Sequence, residues 1–123
     1  MHTDRTSPRK ALVERYCDGF RAGDHATVLA TLTEDIAWDL PGFRHLRGKA
    51  AFDTEIENPT FTGRPTLHVD RLVEEGETVV AVGSGRAALA AGGHHDFAFC
   101  DVFTFRAELI ARVESYVVAL SGP

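Results

Sequence analysis

The residues best equipped for chemistry lie in one stretch, His95–Arg106, which reads HDFAFCDVFTFR. At the two-residue period of a β-strand, Phe97, Phe99, Asp101, Phe103 and Phe105 share one face. Ala98, Cys100, Val102, Thr104 and Arg106 share the other. Asp101 therefore stands in a row of phenylalanines. Burying an unpaired carboxylate is costly, so such a group takes up a proton or finds a partner. A carboxylic acid held neutral in an apolar pocket is a hydrogen-bond donor, which is a catalytic tool. A core aspartate bonded to a backbone amide or an arginine is the structural alternative.

Other candidates supply what such an acid would need. Tyr16 lies inside an apolar helical stripe, so its hydroxyl points into the core and needs a partner, or reaches solvent at its tip. His45 sits in a loop and has a ring suited to proton transfer at neutral pH. His68 falls in a strand whose facing the pattern leaves open. His94-His95-Asp96 does not read as a metal site, because adjacent strand residues point to opposite faces and no third ligand is spaced for it. No Gly-rich phosphate loop, Ser-His-Asp order or Cys-His nucleophile pair stands out.

The elements that must position these residues are legible in order. Residues 1–6 read as a frayed tail. Ser7-Pro8 is an N-cap with proline at the first helical position. Leu12, Val13, Tyr16, Cys17 and Phe20 form the apolar stripe of a helix that Gly23 ends. Asp24 caps a short second helix presenting Val28, Leu29 and Leu32. Ile36–Leu40 is a short strand, Pro41-Gly42 turns the chain, and Phe43, His45 and Leu46 form a loop up to Gly48. Trp38 and Phe43 are large apolar groups near that loop, which suits a pocket mouth. Lys49–Glu57 is a third helix with Phe52 and Ile56 inward, stopped by Asn58-Pro59. Phe61–Pro65 is a linking turn.

Four strands follow: Thr66–Glu75, Thr78–Ala90, the phenylalanine strand, and Leu109–Ala119. Gly83 and Gly85 leave room on one face of the second. A two-residue turn at Ala107-Glu108 would put Arg112 and Glu114 on the phenylalanine face. A longer or bulged turn puts Ala111, Val113, Ser115 and Val117 there, and is predicted because it buries no charge. At Gly92-Gly93 the register stays open. With a two-residue loop, Ser84 lies opposite Asp101 and Arg86 sits diagonal to it, where it could keep Asp101 ionised. Helices segregated from a curved sheet predict an α+β cone: a curved antiparallel sheet wrapped around about three N-terminal helices. Its pocket is lined by Tyr16, Phe20, Trp38, Leu40, Phe52, Phe99 and Asp101. The outer residues Ala98, Cys100, Val102 and Thr104 are small, and no fourth helix remains to cover them, which predicts a homodimer.

The 123 residues suit a single domain spanning 1–123. A net charge of −5, with signs interspersed and no basic block, argues against nucleic acid and anionic membranes as partners. Cys17 and Cys100 read as reduced core residues of a cytoplasmic chain, and no signal peptide or transmembrane run is expected.

Four pieces, ERYCDGFRAGDHATVLATL, WDLPGF…RGKAAF, CDVFTF and LIARVESY, resemble in order and spacing the SnoaL-like and ketosteroid-isomerase-like branch of the nuclear-transport-factor-two fold. In the isomerases a tyrosine and a protonated aspartate form an oxyanion hole and a second aspartate is the base. The resemblance matches Tyr16 to that tyrosine and Asp101 to the oxyanion aspartate. The base position, just before the loop proline, holds Leu40; the acidic residue, Asp39, is one earlier, and strand neighbours face opposite ways. SnoaL-like cyclases place an acid on the inner sheet and close a polyketide by an aldol reaction. Limonene-epoxide-hydrolase relatives need an Asp-Arg-Asp set, and Ser115 stands where their last-strand aspartate would fall, which rejects that branch.

Two function classes follow. One is a cofactor-free isomerase or cyclase acting on a small apolar ketone- or polyketide-like molecule. Tyr16 and Asp101 would donate to an enolate oxygen, His45 or Asp39 would move the proton, and Phe20, Trp38, Leu40, Phe43, Phe52 and Phe99 would hold the ligand. The other is a non-catalytic ligand-binding or dimerisation module on the same fold. The base discriminates them: the enzyme needs one within reach of a bound ketone.

Overall fold

The computed structural model describes residues 7–57 and 61–120. The tail at residues 1–6 and the Asn58-Pro59 helix stop lie outside the described residues. The elements are α1 (Pro8–Ala22), α2 (His25–Ala30), β1 (Leu32–Leu40), β2 (Arg44–Arg47), α3 (Lys49–Ile56), β3 (Phe61–Glu75), β4 (Thr78–Leu89), β5 (His94–Arg106) and β6 (Leu109–Ala119). Ser7 caps α1 by accepting from the Lys10 N–H, and Gly23, at φ 65°, returns its own N–H to the Gly19 and Phe20 carbonyls. Asp24 caps α2 through the Thr27 N–H.

The strands form one open sheet in the order β2-β1-β6-β5-β4-β3. The pairs are antiparallel except β1 with β6, which run parallel. Helices cover its inner face, giving the α+β cone. The core gathers Val13, Val28, Ile36, Phe52, Phe103 and Ile110, all fully buried. Among the described residues no helix is long and apolar enough to cross a membrane.

One helix-end and two loop expectations give way to strands. β1 begins at Leu32 rather than Ile36, so Leu32 belongs to the sheet and not to α2. The Ile110 N–H donates to the Thr31 carbonyl at 2.9 Å, so pairing with β6 draws this segment in. Arg44–Arg47 is an edge strand, paired Asp39 to His45 and Leu40 to Arg44. Phe61–Pro65 starts β3 instead of forming a turn, with a register break between Thr62 and Thr66. β3 is the other edge, where a proline costs the ladder little.

Both open registers have definite outcomes. Arg106 pairs with Leu109, so Ala107-Glu108 is the tight turn, and Ala107 takes the left-handed φ of 58°. The parity change comes just after it, from a bulge that leaves Ala111 of β6 unpaired opposite the Thr104–Phe105 step. Ile110 thus faces Phe105, where Ala111 was expected, while Val113, Ser115 and Val117 pair with Phe103, Asp101 and Phe99. Without the bulge Arg112 and Glu114 would be buried. At the other hairpin Ala88 pairs with His94, so the loop is longer than two residues. Ala81, not Ser84, lies opposite Asp101, and Arg86 faces Asp96 and pairs with it at 2.6 Å. Arg86 is thereby removed as a partner for Asp101.

Gly83 and Gly85 are required by the phenylalanine strand. A Cβ at Gly83 would collide with the His68 carbonyl and come within 2.8 Å of the Phe99 ring; one at Gly85 would meet Phe97 at 2.5 Å.

Candidate functional site

Helix α1 turns Tyr16, Cys17 and Phe20 toward the sheet because they fall on its apolar stripe. Tyr16 packs edge-on to Phe103 at 5.1 Å and meets Phe20 at 5.0 Å and Phe52 at 6.1 Å. From the other side Trp38 of β1 stacks on Phe52 of α3 at 4.4 Å, with Phe20 at 6.2 Å from its ring. Five aromatic rings from two helices and two strands thus surround the inner face of β5.

That face changes character along its length. At one end Val79, Phe103, Phe105, Ile110 and Val113 are sealed from solvent. Toward the other, Trp38, Leu40 and Phe97 are half-buried and Val117 is 40% exposed. Asp101 lies where the two regimes meet and is itself half-buried. The surrounding protein denies its charge hydration and pushes its carboxyl up to about 7; hydrogen bonding from Ser115 pulls part of the way back. Burial, with Asp101 nearby, also holds the Tyr16 hydroxyl well above its ordinary range and pushes the Cys17 thiol up to about 12. Tyr16 and Cys17 are therefore protonated at neutral pH. Trp38 donates its indole N–H to the Ser115 oxygen at 2.8 Å. Such a carboxyl can give and take a proton near pH 7, whereas the tyrosine beside it keeps its proton and can offer it as a hydrogen-bond donor.

The structure thus brings together Tyr16, Asp101, Phe20, Trp38, Phe52 and Phe99, with Leu40 toward the open end. It does not bring Asp39 or His45 to them. Trp38 points inward, so Asp39 points outward, where it pairs with His45 at 2.6 Å and receives a hydrogen bond from Arg112. Phe43 stands at the tip of the β1–β2 turn, 78% exposed, and packs into no part of the aromatic group. His68 faces outward beside Asp70. An open groove between Thr66, His68, Ser84 and Arg86 also belongs to the outer face, and His68 is the one sequence candidate on it. Among the described residues no group of three or more His, Cys, Asp or Glu is arranged to hold a metal ion.

Ser115 and the Trp38 N–H are the polar groups that sequence reasoning missed. The bulged-turn reading did place Ser115 on the phenylalanine face. The parallel pairing that brings Trp38 to it, with Trp38 opposite Val113, had no local signal.

Comparisons with known proteins agree with this fold. The model of the SnoaL-like domain matches residues 13–113. No curated protein matches the chain. An NTF2-like protein of unknown function from Burkholderia pseudomallei K96243 is similar at a TM-score of 0.80 and 23% identity, over 89% of each chain. TerC, co-crystallised with polyporic acid, superposes at 0.79 with 22% identity, over 89% of this chain and 90% of that one. A candidate polyketide cyclase from Xanthomonas campestris pv. campestris reaches 0.74 with 27% identity, over 89% and 92%.

Proposed function

The chain belongs to the SnoaL-like domain family, and from that premise we propose that it binds a small, planar, apolar ketone- or polyketide-like molecule against the inner face of the sheet and moves a proton on it through Asp101. The observation that carries this reading is a carboxyl pushed up to about 7 among aromatic rings, at the boundary between the sealed and open ends of that face. Asp101 serves as both acid and base, and Tyr16 donates to the oxygen on which charge develops. With Asp39 and His45 on the outer face, a one-acid, aldol-type cyclase is favoured over a two-carboxylate isomerase. A fold neighbour crystallised with polyporic acid is compatible with a planar ligand.

Trp38 is the chain's one tryptophan, so its fluorescence reports on the site. A planar phenol such as 2-naphthol should quench it on binding. Asp101→Leu should weaken that binding by about 1–3 kcal/mol, the cost of losing a donor in a dry site. Undiminished binding by this variant would refute the site. An enolisable cyclic ketone then separates the two classes. Solvent deuterium exchange beside its carbonyl, faster with the parent than with Asp101→Asn, marks the enzyme; binding without exchange marks a binding module.

The partner proposed is a second copy of the chain, on the outer face. Val80, Val82, Ala98, Cys100 and Val102 line its centre half-buried, and Tyr116 and Val118 are exposed beside them. Light scattering at micromolar concentration should give twice the 13.4 kDa chain mass; a monomer mass would reject it. The two cysteines, Cys17 and Cys100, are unpaired, which fits a reducing, cytoplasmic setting.

A further inference from the structure

Ser115 is only 6% exposed, so water hardly competes for its hydroxyl. It is the cross-strand partner of Asp101. An indole N–H can only donate, so at 2.8 Å Ser115 must be the acceptor from Trp38. A serine hydroxyl carries one proton, and with Trp38 donating to its oxygen that proton is free to turn to the carboxyl across the strand pair, whose pKa Ser115 lowers. Trp38 is itself held, stacked on Phe52 at an interplanar angle of 26° and edge-on to Phe20.

We propose that Trp38 and Ser115 form a positioning relay for Asp101: the indole N–H orients the serine hydroxyl so that its proton engages one carboxyl oxygen and the other oxygen is left for the ligand. The relay rests on the reading of Asp101 as the site's acid and says how that acid is aimed. In neutral Asp101 the oxygen facing Ser115 is the carbonyl oxygen, so the acid proton sits on its twin. When Asp101 is ionised, the Ser115 proton stabilises the charge. Neither residue touches the transferred proton. The groups facing Asp101 from the packed elements are Tyr16 and Cys17 of α1, Ala81 of β4 and Ser115 of β6. Tyr16 and Cys17 stay protonated through the neutral range, so Asp101 is the one group of this set that titrates there.

The single tryptophan gives one indole N–H resonance in a ¹⁵N–¹H spectrum of the whole chain, and selectively ¹³C-labelled aspartate reports Asp101. In the parent, the indole resonance should follow pH with the Asp101 midpoint. In Ser115→Ala it should move toward a free indole, stop following pH, and be accompanied by a higher Asp101 midpoint; Ser115→Thr should restore both. Trp38→Phe should raise the midpoint in the parent and add nothing in the Ser115→Ala background. An equal shift in both backgrounds would mean that Trp38 acts by burial alone and would overturn the relay. So would an indole resonance indifferent to Ser115→Ala while Asp101 still titrates near 7, and that outcome leaves the proposed acid intact. An Asp101 midpoint in the ordinary carboxylate range would instead overturn the acid and the relay with it. Should Ser115→Ala fail to give a dispersed spectrum, Ser115→Cys, which keeps the volume with a weaker donor, carries the same comparison.

Discussion

Asp39 and Asp101 are the same residue type on opposite faces of one sheet, and neighbouring residues of β6 decide their fates. Asp39 lies beside Glu114 and Asp101 beside Ser115. Outward, Asp39 has His45 and the Arg112 guanidinium as partners, both open to solvent. Inward, Asp101 has aromatic rings, a hydroxyl and no cation among the described residues. A one-residue step along a strand separates a solvated ion pair from an acid poised near neutrality. Chemical potential in this chain thus depends on facing more than on residue type.

The comparison breaks most visibly at Asp101→Asn. Burial pushes the folded carboxyl up to about 7, from the ordinary value of 3.8 that holds in the unfolded chain. The folded state therefore holds a proton that the unfolded chain releases. The stability this contributes is complete below the unfolded value and is lost as pH rises through the folded one. By pH 8 the parent should have lost about 4 kcal/mol relative to the asparagine variant, and the two should converge near pH 4. Urea unfolding at pH 4 to 8 measures it. A variant less stable than the parent at pH 8 would mean an ionised, paired Asp101.

Asp39→Asn is the matching change on the outer face. An exposed ion pair contributes about 0.2–1 kcal/mol, so stability should fall by no more than that, and less in high salt. Naphthol quenching of Trp38 should be unchanged. A loss of binding would return Asp39 to the site.

A smaller effect sharpens the assignment. His25 of α2 lies between Asp53 at 2.5 Å and Glu57 at 2.6 Å, tying α2 to the helix that carries Phe52. Hydrogen bonds to Asp53 and then to Glu57 raise its pKa above 6.5. Its stabilisation is complete below the unfolded value and disappears as pH rises through the folded one. In an Asp101→Asn background, the residual decline in stability above pH 6.5 should vanish with His25→Gln. A decline that survives both changes would show a third titrating group.

The sequence by itself determined the local features. The period of β5 put Asp101 among phenylalanines, and the stripe of α1 turned Tyr16 and Phe20 to the same side, because both patterns follow from backbone geometry within a few residues. Charge avoidance even foretold the parity of β6, since the alternative buried Arg112 and Glu114. The tertiary structure alone decided the partners. Trp38 meets Ser115 across 77 residues, and Arg112 meets Asp39 across 73. Both contacts depend on the parallel β1–β6 pairing and on one bulge after Ala107-Glu108. The edge strands β2 and the start of β3 were hidden for the same reason. Their residues carry turn and loop signals, and they become strands only because a neighbouring strand offers unpaired backbone groups. A shift of one residue at a hairpin exchanges the two faces of a strand, and no local period records which register the loops select.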